Sequence, residues 1–183
     1  MSGGHGHVDH HGGNKGVALL ISVLALVLAF SETLGKSAQT EAMSYNIQAS
    51  NLWAFFQAKT IRQTTMRTAA DQLAATVDTE KSKKQIEAWK KTAERYEDEP
   101  ETREGRKQLA ERAKNAERKR DKAFAAYHHY ELSSAAVQIA IVLASASIIT
   151  AIGALFWAAG ALGLLGVAFC VIGFWFPAAV HLF

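Results

Sequence analysis

Cysteine is almost absent from this chain: Cys170 stands alone, inside an apolar run. A single thiol excludes a disulfide framework and a cysteine-based zinc site, and leaves Cys170 as a small buried hydrophobe. Proline is nearly as sparse. Pro100 and Pro177 are the two in 183 residues, so little interrupts helices. From 36 to 132 there is one proline and one glycine, and no strand-like alternation. Catalytic signatures are missing as well: no Walker loop, no GxGxxG, no GxSxG, no HExxH. With none of these, no catalytic residue and no cofactor is assigned, and a non-enzymatic protein is expected.

Charge is missing from two long stretches. Residues 17–34 and 134–183 carry a single charged group, Glu32, while every Lys and Arg except Lys15 lies between Lys36 and Lys122. The mean hydropathy of zero therefore averages two unlike parts. Such sorting predicts a membrane protein with one polar insert.

The first apolar run, "GVALLISVLALVLAFSETL", has the length of one crossing and gives transmembrane helix 1 over 16–35. A cleaved signal peptide is the rival reading. The leader, with four His and one Lys, lacks the basic start that such a peptide needs. The last fifty residues are too long for one crossing, so they read as two, 133–157 and 160–183, linked by the short "AAG". Small residues recur four apart, at Ala140 and Ala144 and at Ala159 and Gly163, where close helix approach is expected. Lys36 on one side and Arg118, Lys119, Arg120 and Lys122 on the other flank the insert. They predict a cytoplasmic insert and a periplasmic N-terminus.

The insert, 36–132, shows heptad spacing. Ala42, Tyr45, Ala49, Leu52 and Phe56 form one seam, continued by Met66, Ala70, Leu73 and Val77, with Lys59 and Gln63 interrupting it. Ile86, Trp89, Ala93 and Tyr96 keep the step, as do Leu109, Ala113, Ala116, Arg120, Ala123, Tyr127 and Tyr130. A coiled-coil helical hairpin follows, with a turn near 78, where Asp78 or Thr79 caps the second helix. A break follows near 100, where Pro100 opens the third. Lys/Arg and Asp/Glu are interleaved here, which marks solvated helix faces rather than a nucleic-acid surface.

Within the insert, "ASNLWAFFQAK" (49–59) concentrates large side chains. Tyr45, Leu52, Trp53, Phe55 and Phe56 share one broad helix face that needs a partner. An intramolecular hairpin core is the leading expectation, with Phe124, Tyr127 and Tyr130 as partners. A subunit interface is the second. A helix broken at Gly35, with the segment lying on the membrane surface, is the third. The remaining polar features are few. Glu32, at the end of its crossing, is expected to pair with Lys36, and Gln138 is the other intramembrane polar group of note. His128 and His129 point apart on a helix and suit interfacial roles better than a metal. His5, His7, Asp9, His10 and His11 lie in a 1–15 tail, expected to be flexible, whose donors are also able to bind Zn²⁺, Cu²⁺ or Ni²⁺.

The stretches "ISVLALVLAFSETLGKSAQTEA" and "NIQASNLWAFFQAKTIRQTT" resemble the bacterial membrane proteins grouped as domain of unknown function 4337. The His-rich leader and the late apolar pair fit the same pattern. The resemblance covers most of the chain, least distinctively over 78–120. It implies a bacterial inner-membrane setting and carries no catalytic residues. The expectation is an all-α membrane protein with three transmembrane helices and a cytoplasmic helical-hairpin insert. Its expected partners are the lipid bilayer and further copies of itself, with no nucleic acid.

Overall fold

The computed structural model describes residues 11–177. The described chain is all helix: α1 (His11–Thr76), α2 (Glu80–Glu97), α3 (Arg106–Thr150) and α4 (Gly153–Trp175). Three of these, α1, α3 and α4, contain windows long and apolar enough to cross a membrane. Two compact units share the long helices. The described residues up to Thr40 and from Lys122 onward form an apolar unit, and Glu41–Asp121 form a charged unit. Helix α1 runs unbroken through Gly35.

In the apolar unit the core is Leu24, Val137 and Ala140, with Leu20, Val27, Leu28, Ile141 and Leu162 packed against it. Small residues let the helices approach. Ala140, Ala144, Ala159 and Gly163 are all buried, as their spacing predicts. A Cβ on Gly163 would stand 2.5 Å from Leu24 Cδ2, and one on Gly166 2.5 Å from Val137 Cγ2. Either contact would force its neighbour to shift, so these glycines let α4 lie close to α1 and α3. Large residues such as Leu19, Phe30, Ile149, Leu164 and Phe174 point outward.

The link between the last two apolar helices is not at 158–160. Helix α3 ends at Thr150 and α4 begins at Gly153, so the second and third apolar helices meet at Ala151 and Ile152. The small residues misled because glycine is readily accommodated inside apolar helices, and Gly160 is one such residue. The helix ends instead after the β-branched run Ile148–Ile149–Thr150, which has lower helix propensity. Thr150 Oγ1 takes a long hydrogen bond, 3.4 Å, from the Ile152 amide. Ala151 turns the chain at φ 53°, a left-handed position usual after a helix end. Helix α4 stops at Trp175, two residues before Pro177, as a proline requires. Residues 178–183, assigned to the third crossing, lie outside the described residues.

In the charged unit most residues of the predicted seams point inward, but Val77, at the end of α1's seam, is 43% exposed. Ala70, Ala93, Leu109, Ala113 and Ala116 are buried, while Ile86, Trp89 and Tyr96 are half-buried. Thr79, not Asp78, caps α2. Its Oγ1 accepts the Ser82 amide at 3.1 Å and Ser82 Oγ accepts the Thr79 amide at 3.0 Å, a reciprocal capping box. Pro100 does not open α3. It opens one isolated helical turn, closed by the Arg103 amide on the Glu99 carbonyl at 3.0 Å. Arg103 then turns left-handed, at φ 57°, and α3 starts at Arg106. Gly105 has no room for a Cβ, which would meet the Glu99 nitrogen at 2.4 Å. That close approach folds 98–105 into a compact connection.

Candidate functional site

The aromatic face of α1 is covered by its own hairpin. Ala49 and Leu52 form a core with Leu109, Ala113 and Ala116 of α3, and Trp53, Phe55 and Phe56 pack against it. Wide side chains on one helix thus meet an alanine strip on the other, an interdigitation that fills the space between them. Trp53 Nε1 donates to Glu117 Oε1 at 2.8 Å, and the Trp53 and Phe56 rings meet edge to face at 5.4 Å. The Lys119 ammonium sits 5.4 Å from the Tyr45 ring centre. The expected partners Phe124, Tyr127 and Tyr130 are not the ones used. Because 98–105 is compact, α3 re-enters at Arg106 and brings 109–116 opposite 49–56.

Next to this core lies a junction of buried polar groups. Lys59 and Gln63, the two residues that interrupt the seam, are 6% and 2% exposed. Lys59 Nζ donates to Glu99 Oε2 at 3.2 Å and lies 5.1 Å and 5.6 Å from the Tyr96 and Phe55 ring centres. Gln63 Nε2 donates to the Ala93 carbonyl at 3.1 Å and to Glu97 Oε2 at 2.9 Å, and its Oε1 accepts from Arg106 at 2.6 Å. Arg106 also donates to Thr60 Oγ1 at 2.9 Å and pairs with Glu97 at 2.6 Å, while its guanidinium lies 4.9 Å from the Phe56 ring centre. All three helices are therefore tied at one point, with their buried polar atoms satisfied by one another. The Gln63 amide, aided by Arg106, holds the Glu97 carboxyl below its ordinary value. The Lys59 hydrogen bond does the same for Glu99, and Gln108 followed by Lys107 for Asp98. Arg106, Glu97 and Glu99 carry no seam signal of their own. The signal was Lys59 and Gln63, since a polar group on an inward seam needs buried partners.

A second polar cluster lies in the apolar unit. Ser31 and Ser133, both fully buried, share a hydrogen bond of 2.8 Å between α1 and α3. Gln138 Nε2 donates to Glu32 Oε1 at 3.3 Å and to Ser134 Oγ at 3.4 Å. Glu32 therefore meets a neighbouring helix, and the expected pair with Lys36 is not among the ion pairs of the described residues. Helix order favoured the Lys36 pair, but the facing amide of Gln138 takes the carboxylate. Around these groups is a partly open cavity of about 440 Å³. His128 Nδ1 lies 3.6 Å from Glu131, and His129, 1% exposed, stacks on Phe169 at 6.4 Å with no partner for Nδ1. Among the described residues no group of His, Cys, Asp and Glu is arranged to hold a metal. The tail residues His5, His7, Asp9 and His10, and the His11 side chain, lie outside the described residues.

The class is thus an all-α protein in which three helices are long and apolar enough to span a membrane and a charged helical unit is inserted between them. The family model for a domain of unknown function (DUF4337) matches residues 13–176, and the chain belongs to that family. Comparison with curated proteins and with solved structures gives no match.

Proposed function

We propose that the protein is a non-enzymatic, homo-oligomeric scaffold or membrane organiser of the bacterial inner membrane, with its charged unit in the cytoplasm. One observation carries the reading: the face of α1 left uncovered by its own hairpin. Met43, Ile47 and Ile61 are 57%, 58% and 67% exposed there. Ser50, Ala54 and Gln57 fill the steps between them, so the exposed residues follow the alternating four and three of a coiled-coil seam. The ionisable groups of the junction are spent on one another, which suits a rigid strut better than a reactive site. Changing Met43, Ile47 and Ile61 together to Glu tests the assembly by light scattering of the detergent-extracted protein. The expected result is an oligomer for the native chain and a monomer for the variant. A native monomer, or an unchanged variant, would remove the scaffold reading.

The cytoplasmic side rests on Lys36 and the Arg118–Lys122 cluster flanking the apolar runs. A cysteine placed at Lys90, with Cys170 changed to Ala, should resist impermeant thiol reagents in intact cells. Labelling before permeabilisation would reverse the orientation. The runner-up is a channel or transport accessory in which Glu32 and Gln138 of several subunits line a pore. It needs those groups to converge across subunits, whereas Gln138 serves Glu32 within one chain. Metal sensing through the N-terminal histidines is the third reading. Calorimetry with Zn²⁺ on the intact and tail-deleted chains separates it.

A further inference from the structure

Glu32, Glu131 and Lys36 are charged groups lining one cavity of about 440 Å³, between α1 and α3 of the apolar unit. That volume is within the usual range for small-ligand sites. In the junction of the charged unit, cations and anions pair directly. Here they do not. Lys36 is in no ion pair among the described residues, and Glu131 has only the 3.6 Å contact with His128, which is charged only when protonated. Glu32 receives one long hydrogen bond, from Gln138, and its carboxylate can accept about three more. Carboxylates and an ammonium that face one space without meeting are suited to a ligand bearing both complementary charges.

The level of the cavity says what that ligand is. Ser31 and Ser133 are hydrogen-bonded, so the end of the first apolar run and the start of the second lie side by side. The cavity begins there, where apolar sequence gives way to charge, the level of lipid headgroups for helices that span a bilayer. Four residues into the apolar sequence, on the same helix face as Gln138, stands the 65% exposed Val142, a footing for acyl chains. We propose that this cavity binds the headgroup of a phospholipid carrying a primary amine. Glu32 and Glu131 take the ammonium, and Lys36 with Gln39 takes the phosphate. Both carboxylates are acceptors only, so a headgroup with N–H donors is favoured over a quaternary amine, which has none. Tyr127 also lines the cavity. The proposal is independent of the scaffold reading, since it involves one chain.

Native mass spectrometry of the full-length protein in detergent tests it, with phosphatidylethanolamine, phosphatidylcholine and phosphatidylglycerol of identical acyl chains supplied in equal amounts. The expected result is one retained phosphatidylethanolamine per chain, preferred over the other two by about tenfold, the value of one charge-assisted hydrogen bond. This comparison needs no variant. Equal or better retention of phosphatidylglycerol overturns the carboxylate–amine assignment, and equal retention of phosphatidylcholine assigns the cavity to an aromatic cage instead. The double variant Glu32→Gln with Glu131→Gln should lose the preference, and Lys36→Ala should lower retention of all three lipids, since all carry the phosphate. Lys36→Arg should keep that retention. Unaltered retention in the double variant overturns the site. Soluble phosphoethanolamine bound as tightly as the lipid overturns the lipid as its source.

Discussion

In the charged unit the helices meet through Leu109, aromatic rings and paired ions. In the apolar unit glycines and alanines bring the helices close around Leu24 and Val137, beside a pair of serines. The two solutions answer two solvents. Water drives Leu52, Trp53 and Phe56 together, so width on one helix is matched by alanines on the other. For helices that cross a membrane, as these are long and apolar enough to do, hydrocarbon offers no such drive, and α4 gains from dispersion at the close range that Gly163 and Gly166 make available. Polar groups differ in the same way. Lys59 and Arg106 stand among aromatic rings and carboxylates, whereas Ser31 and Ser133 satisfy each other without charge.

A matched pair of truncations gives the largest contrast. Leu109 and Leu24 are 0% and 3% exposed. Leu109→Ala should destabilise the charged unit by about 2–5 kcal/mol, the cost of lost burial plus a cavity. Leu24→Ala should cost clearly less, because its reference state is lipid rather than water. With Trp157 and Trp175 changed to Phe, the fluorescence of Trp53 and Trp89 during urea unfolding reports the first. Gel-resolved unfolding in detergent reports the second. Equal costs would break the two-solvent account.

Removing Arg106 comes next. Arg106→Ala leaves Glu97 and Gln63 without their shared donor and should cost about 1.5–3 kcal/mol in the same assay, with Lys at that position recovering only part, since its ammonium cannot fork. Wild-type stability at Arg106→Ala would show that the junction is held by apolar packing alone. A smaller and distinct effect is expected from acid. Glu97 and Glu99 titrate below their ordinary value of 4.5 when folded, so their stabilisation is full above that value. It is lost as pH falls from there through the folded pKa values. The charged unit should therefore weaken below about pH 4.5 while the helices of the apolar unit hold, by circular dichroism and tryptophan emission followed together. Simultaneous loss in both would contradict the contrast. The smallest effect is the serine pair. A double-mutant cycle of Ser31→Ala and Ser133→Ala should give a coupling of about 0.6 kcal/mol, typical of polar contacts between apolar helices. A coupling several times larger would make this pair, not the glycines, the main tie.

Much of this architecture is legible in residue order. Ala42, Ala49, Leu52, Leu109 and Ala113 announce inward faces by spacing, and they are inward. A cap at Asp78 or Thr79 and the turn near 78 follow from capping chemistry, because a cap needs only its neighbours in sequence, and the structure chooses Thr79. The link at 151–152 was not legible, since it depends on which of two weak helix sites gives way. Glycine is tolerated inside an apolar helix, and Gly160 stays within α4. The partner of Glu32 was hidden for a related reason. Spacing along α1 pointed to Lys36, but the facing residue on α3 is 106 positions away.

Sequence alone determined the partition of the chain, for charge and hydropathy sort residues by solvent whatever their final neighbours. It also determined the helical state of the described residues, through the near-absence of proline and the heptad steps. Only the tertiary structure decided what the aromatic face touches and where the polar interruptions lead. Ala49 and Leu52 meet Leu109, Ala113 and Ala116, and Lys59 and Gln63 meet Glu99, Glu97 and Arg106, because the 98–105 connection sets the register of α3. That register is a distance in space, and periodicity specifies a face but not what arrives opposite it.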